Sequence, residues 1–390
     1  MIAYNTQWLS NLLVREQADT ALNKHCISKA EQEQVYAAYP AGFYTPNIFV
    51  RIGLFILTWV ILIFGISLLS LGFFSAADSE KAVGGLFIFF GLLIYGGLEM
   101  MVKNNHYHSG VDDGLIWMCG ICIVGGLNVI AEFKLPAQVN AILIFIIALF
   151  LFIRFINMLM AGVAALALLG VIFFSIIRFG EVAKAIAPFV MMLSSAGIYF
   201  YAQQQLNKKR WPFHTNGLLL VTVVALVCLY TAGNYFVVRE ASISMFNLDL
   251  KEGESIPFGW LFWIFTVGIP ILYIVRGIQK KDAVLLRVGL LLVAAIVFTV
   301  RYYYHVMPAE IAMVLGGIIF IVLAYALTRY LHEPKHGFTY KDLDDAFFMD
   351  KLHVESLVIA QSFSGPKQTT DSRTQFGGGT GGGGGASGEY

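Results

Sequence analysis

Ten stretches of this chain run for about 20 residues each with almost no charge, and no other feature narrows the possible folds so far. A helix of that length, rising roughly 1.5 Å per residue, crosses a hydrocarbon core of about 30 Å with every backbone group bonded internally. The predicted spans are 52–74, 83–102, 114–131, 137–153, 156–177, 182–201, 217–238, 258–275, 284–303 and 309–330. The fourth is the shortest and is separated from the fifth only by the surroundings of Arg154, so one long re-entrant unit is the alternative there. Proline precedes three even-numbered spans (Pro136, Pro257, Pro308), at a position that favours the first helical residue. The fold class is therefore all-α: a polytopic integral membrane protein of about ten transmembrane helices with a short soluble helical pair before them.

Composition agrees. Only 13% of the 390 residues are charged and 58% are hydrophobic, whereas soluble domains carry roughly 25% charged residues. A net charge of +1 suggests neither a nucleic-acid partner nor an acidic binding surface. The four cysteines are too few and too scattered for a disulfide framework. Residues 1–46 hold no apolar core of a cleavable leader, so the first span is expected to act as its own insertion signal.

Four regions follow: a helical pair over 1–46, a transmembrane domain over 47–331, a cytoplasmic segment over 332–376 and a glycine-rich tail over 377–390. Leu9, Leu12 and Leu13 recur at helical spacing and predict a helix over 6–23. Ser28 and Glu31 form a capping-box pattern for a second helix that should stop near Tyr39, because Pro40 forces the residue before it out of helical geometry. Phe43, Tyr44 and Phe49 then suit the headgroup level. Past the last span, Asp342, Asp344, Asp345 and Asp350 alternate with Phe347, Phe348, Leu352 and Leu357 as in a short surface helix. The tail is too poor in side chains to fold alone.

Ten spans place nineteen of the 26 Lys and Arg residues on the side of the N terminus, which by the positive-inside rule makes both termini cytoplasmic and the 239–257 loop external. The expected location is the inner (plasma) membrane of a bacterial cell.

Candidate chemistry is sparse. His332-Glu333-Pro334-Lys335-His336 matches the H-E-x-x-H pattern of zinc proteases, but Pro334 breaks the continuous helix that would set both histidines on one face, so the stretch reads as a helix end. Glu99, His106, His108, Asp112 and Asp113 cluster between the second and third spans, where carboxylates and imidazoles can bind a divalent metal or exchange protons. The competing reading is a solvated loop with Asp112 or Asp113 at the start of the third helix, favourable to the helix dipole. Histidines two apart in a loop point in different directions, so no tight metal site is expected from His106 and His108. Cys119 and Cys122, a lone C-x-x-C inside the third span, read as small packing residues. Asn128, Asn140, Asn157, Ser194, Ser195 and Asn234 read as hydrogen-bonding glue between helices. Glu99, Glu132, Arg154 and Arg301 fall at span ends, where they can reach water.

Three resemblances accompany these residues. Asn23 through Gln32, ending near Tyr39 and leading into serial spans, resembles the predicted bacterial membrane proteins grouped as domain of unknown function 2157, which open with a similar Ile-Ser-x-x-Glu helix. The tail from Phe376 to Tyr390 is similar to the glycine-rich, aromatic-ended tails of bacterial envelope proteins that carry TPM domains. Asp112-Asp113-Gly114 is similar to the opening of the CDP-alcohol phosphotransferase motif, yet the chain continues Leu115-Ile116-Trp117 and the later aspartates of that motif are missing. None of these implies a catalytic residue.

The functional expectation is a non-catalytic scaffold or envelope-associated factor, with no cofactor, the lipid bilayer around it, and protein partners at the N-terminal helices and the C-terminal segment. A transporter or lipid-handling protein is the alternative, and an enzyme built on the Glu99–Asp113 cluster a distant third.

Overall fold

The computed structural model describes residues 2–74, 79–246, 256, 258–303 and isolated positions between 314 and 329. Two short helices come first, α1 (Thr6–Asn23) and α2 (Lys29–Ala38). Seven long helices follow: α3 (Ile48–Phe74), α4 (Glu80–Lys103), α5 (Val111–Ile130), α6 (Ala137–Phe155), α7 (Met158–Ile177), α8 (Glu181–Asn207) and α9 (Thr215–Gly233). The 12-residue α10 (Tyr235–Phe246) precedes the long α11 (Gly259–Lys280) and α12 (Ala283–Tyr303). Among the described residues, nine helices are long and apolar enough to cross a membrane. The chain is thus an all-α, multi-pass membrane protein. The tenth predicted span falls outside the described residues save for isolated positions, as do the H-E-x-x-H stretch, the acidic segment and the glycine-rich tail.

The soluble pair forms as its sequence dictates. Asn5 caps α1 by accepting from the backbone of Gln7 and Trp8. Ser28 and Glu31 close a reciprocal capping box on α2, and its hydrogen bonds hold the exposed Glu31 carboxyl below its ordinary range. Arg15 clamps the hairpin by donating to the carbonyls of Tyr36 and Tyr39, its guanidinium 4.8 Å from the Tyr36 ring centre.

In the bundle, α4 packs on α5, α6 on α7, α8 on α9 and α11 on α12, with α9 also touching α7, α11 and α12. Without water there is no hydrophobic force between apolar helices, so close approach needs small residues. A Cβ at Gly84 would lie 2.7 Å from the Gly126 carbonyl oxygen, and one at Gly126 would lie 2.7 Å from that of Gly84. One further contact along the same seam, Gly91 meets the Cβ of Cys122. Cys119 and Cys122 are both buried and packed in this core.

The fourth and fifth spans are two separate helices, as predicted, joined at Ile156 and Asn157 with Ile156 left-handed, so the re-entrant alternative falls away. Two expectations need correction. Pro136 occupies the cap position before α6 and not its first helical residue. The 239–257 loop begins as helix: α10 runs to Phe246, and the seventh span is broken at Asn234.

Candidate functional site

At the end of the bundle carrying the N-terminal segment, three helix ends and two loops converge. The Ala3 amide donates to the carbonyl of Arg154 at the end of α6, and the Tyr44 amide to that of Asn105 beyond α4. Tyr44 and His106 make an isolated parallel bridge. Backbone bonds thereby tie the segment before α3 to the helix ends.

Beneath it lie Asp112 and Asp113, in the first turn of α5. Asp112 is 1% exposed. It accepts from the His108 amide at 2.7 Å, the Ser109 amide at 2.8 Å, the Ser109 hydroxyl at 3.0 Å and the Tyr4 hydroxyl at 3.4 Å. Asp113 receives Arg51 Nε and Nη2 on one oxygen, at 2.9 and 2.7 Å, and Asn157 Nδ2 on the other at 2.8 Å. A buried carboxylate is tolerable only with such a set of donors. The reading of a solvated loop is therefore corrected: the acids do start the helix, but the loop 104–110 and Tyr4 fold over them.

Backbone geometry makes this possible at Gly110, whose φ is +93° and where a Cβ would lie 2.1 Å from the Arg51 carbonyl oxygen. Four residues on, Gly114 lies against Thr58. This pair lets the start of α3 approach α5 closely enough for Arg51 to reach Asp113.

The five candidate residues are divided among different partners. His106 Nδ1 is 3.2 Å from the Ser109 hydroxyl. His108 Nδ1 is 3.2 Å from Arg51 Nη2 and 3.6 Å from Asp113 Oδ1. Glu99 belongs to a separate group, taking Arg154 Nε at 2.6 Å and the Tyr95 hydroxyl at 2.7 Å. Glu99 and Arg154 do stand at span ends, part-exposed, and there they pair with each other across two helices. Among the described residues, no three His, Cys, Asp or Glu side chains come together at a spacing that could hold a metal ion.

An aromatic cover completes the site. Tyr4 meets Tyr107 edge-on at 4.9 Å, Phe43 lies 5.2 Å from Tyr107, and Trp8 stands edge-on to Phe43. Burial, reinforced by the negative charge of Asp112, holds the Tyr4 hydroxyl well above its ordinary pKa and pushes that of Tyr107 up to about 12. Both phenols therefore stay neutral, and that of Tyr4 donates to Asp112. Sequence reasoning missed Tyr4, Arg51, Ser109 and Gly110. The only local signal was the Gly110-x-x-x-Gly114 spacing.

A second polar cluster forms at the far end of α9. Asn234 Nδ2 donates to the Tyr230 hydroxyl at 2.8 Å and to Thr299 Oγ1 at 3.0 Å, and its Oδ1 caps α10 by accepting from Val237. The Tyr235 amide, freed by the break, donates to Thr266 Oγ1 at 2.9 Å. Of the remaining polar residues expected to link helices, Asn128 bonds its own helix at Val124, and the Ser195 hydroxyl has no partner among the described residues.

Compared with known proteins, the chain matches no family model, no curated protein and no solved structure.

Proposed function

We propose that this protein is a non-catalytic scaffold of a bacterial plasma membrane, with its N-terminal helical pair in the cytoplasm as a docking platform for a protein partner. The observation that carries the reading is the way the pair is mounted. Tyr4, Ala3, Phe43 and Tyr44 lock it onto the bundle end, while α2 buries none of its own residues. A platform that is rigidly held and open on its outer helix binds a partner without first being ordered, which lowers the entropic cost of association.

The acids support the same reading. Asp112 and Asp113 spend their acceptor capacity on Tyr4, His108, Ser109, Arg51 and Asn157. An acid–base pair must instead face a reacting group. The excess of Lys and Arg on the N-terminal side supports the orientation.

A photo-crosslinking residue placed at Gln34 or Ala37, both exposed on α2, tests this in native membranes. Both positions should capture the same protein, and capture should fall when Tyr4→Ala loosens the mount. If neither position captures a protein above the level of a residue placed in the bundle, the scaffold reading fails.

A further inference from the structure

A cavity of about 480 Å³ lies between α6 and α7, lined by nine residues of these two helices. Small side chains make it: Ala137 and Ala141 on α6 face Ala167 and Gly170 on α7. The ideal Cβ position at Gly170 is still 3.7 Å from that of Ala141, so nothing larger closes the space. Near its mouth, Gln138 Nε2 donates to the Ser175 hydroxyl at 2.8 Å and pins the two helices together.

The groove has a direction. The helices are antiparallel, so Ala137 and Phe174 mark the end away from the N-terminal pair, while Ile144 and Val163 lie deeper along the helices. Asn140 is the single polar lining residue. Its Nδ2 reaches the Leu135 carbonyl at 3.5 Å, and its Oδ1 has no partner among the described residues. One turn beyond Phe174 on the same face of the α7 helix stands Arg178, which is exposed and in no ion pair among the described residues. The space is therefore apolar along its length with Asn140 near one end, and Arg178 follows one turn beyond its lining.

We propose that this groove is a binding site for one phospholipid, an acyl chain lying between α6 and α7 and the phosphate resting on Arg178. Both walls are membrane-spanning by length and hydropathy, so an acyl chain suits the apolar space between them. A phospholipid brings hydrocarbon and anion in one molecule, and a phosphate is a favourable partner for an arginine at the membrane surface. The site is independent of the scaffold reading, since none of its residues belongs to the N-terminal pair or its mount.

The test counts lipids on the full-length protein by native mass spectrometry, after delipidation and limited addition of palmitoyl-oleoyl phosphatidylglycerol. Wild type should retain one molecule per chain. Filling the groove with Gly170→Leu should lower retention about tenfold, and Arg178→Gln about threefold, corresponding to loss of one charge-assisted contact. Arg178→Gln should leave retention of palmitoyl-oleoyl glycerol, which lacks the phosphate, unchanged. Should Gly170→Leu fail to fold, the comparison of the two lipids in Arg178→Gln decides alone, because that side chain is exposed. Retention that scales with added lipid without a unit step, equal loss of both lipids, or loss of a dimer in place of a lipid would each overturn the proposal.

Discussion

The two ends of this bundle solve the same problem with different chemistry. At the N-terminal end, a polar cluster contains full charges, Arg51 against Asp113 and Asp112 under Tyr4, with the part-buried Arg154–Glu99 pair as a separate group. At the far end of α9, the cluster around Asn234 uses only amides and hydroxyls from Tyr230, Thr266 and Thr299. The difference lies in what surrounds each. Chain segments 2–5 and 104–110 lie over the first cluster and contribute backbone amides such as those of His108 and Ser109, so carboxylates can be fully satisfied there. The second is enclosed by helix faces whose amides, apart from those freed by the break such as that of Tyr235, are committed to helical bonds. Side chains supply most of the rest, and neutral ones carry the smaller desolvation cost. Charge is thus buried where loops can supply donors, and a helix is broken where they cannot only if an asparagine and threonines take over the freed groups.

The sharpest attack on the charged end is steric. Gly110→Ala puts a methyl 2.1 Å from the Arg51 carbonyl at a positive φ, and strain plus overpacking should together cost roughly 3 kcal/mol. Equilibrium unfolding in mixed micelles should show it, and an unchanged midpoint would mean that α3 does not need this approach. Next in size is Arg51→Met, which strands the Asp113 carboxylate. Because the Arg51 side chain is 31% exposed, the loss should be about 2 kcal/mol and not the full cost of an unpaired buried charge. Adding Asp113→Asn should restore most of it, and a double variant no better than the single would count against the pair. At the neutral end, Asn234→Ala should cost only about 1 kcal/mol, in line with interhelical hydrogen bonds in membranes. A loss larger than that of Arg51→Met would reverse the comparison.

The smallest effect at neutral pH is the phenol contribution. Tyr4 and Tyr107 have folded-state pKa values raised above the ordinary one. Their stabilisation is therefore complete below about pH 10 and lost as pH climbs through the folded values. Trp8 fluorescence, reporting on the Phe43 contact, should stay flat to about pH 10 and shift above it. Tyr4→Phe should remove part of that step, and a shift well below pH 10 would assign it to other groups.

Most of the helical frame was legible. The α1 bounds, the Ser28–Glu31 capping box and eight of the spans fall close to their predicted places, because length, hydropathy and capping are local. The site was not legible, because its contacts join residues far apart in sequence: Arg51 and Asp113 are 62 positions apart, Tyr4 and Asp112 108. Nothing in the run Asp112-Asp113-Gly114 states that a distant arginine and tyrosine will cover it. The break in the seventh span did leave a trace. Gly233-Asn234 is a helix-stopping pair, but hydropathy averaged over about 19 residues conceals one such dipeptide in an apolar run.

The contact between Ala3 and Arg154 also sets an order of events. A chain made from its N terminus exposes residue 3 about 150 residues before its partner exists, an interval of roughly ten to thirty seconds at usual rates of synthesis. Until α6 has been made, the Ala3 amide beside Tyr4 lacks its carbonyl partner. A segment translated well before its partner is thus among the last to settle, and any factor that holds it during that interval delays closure of the bundle end.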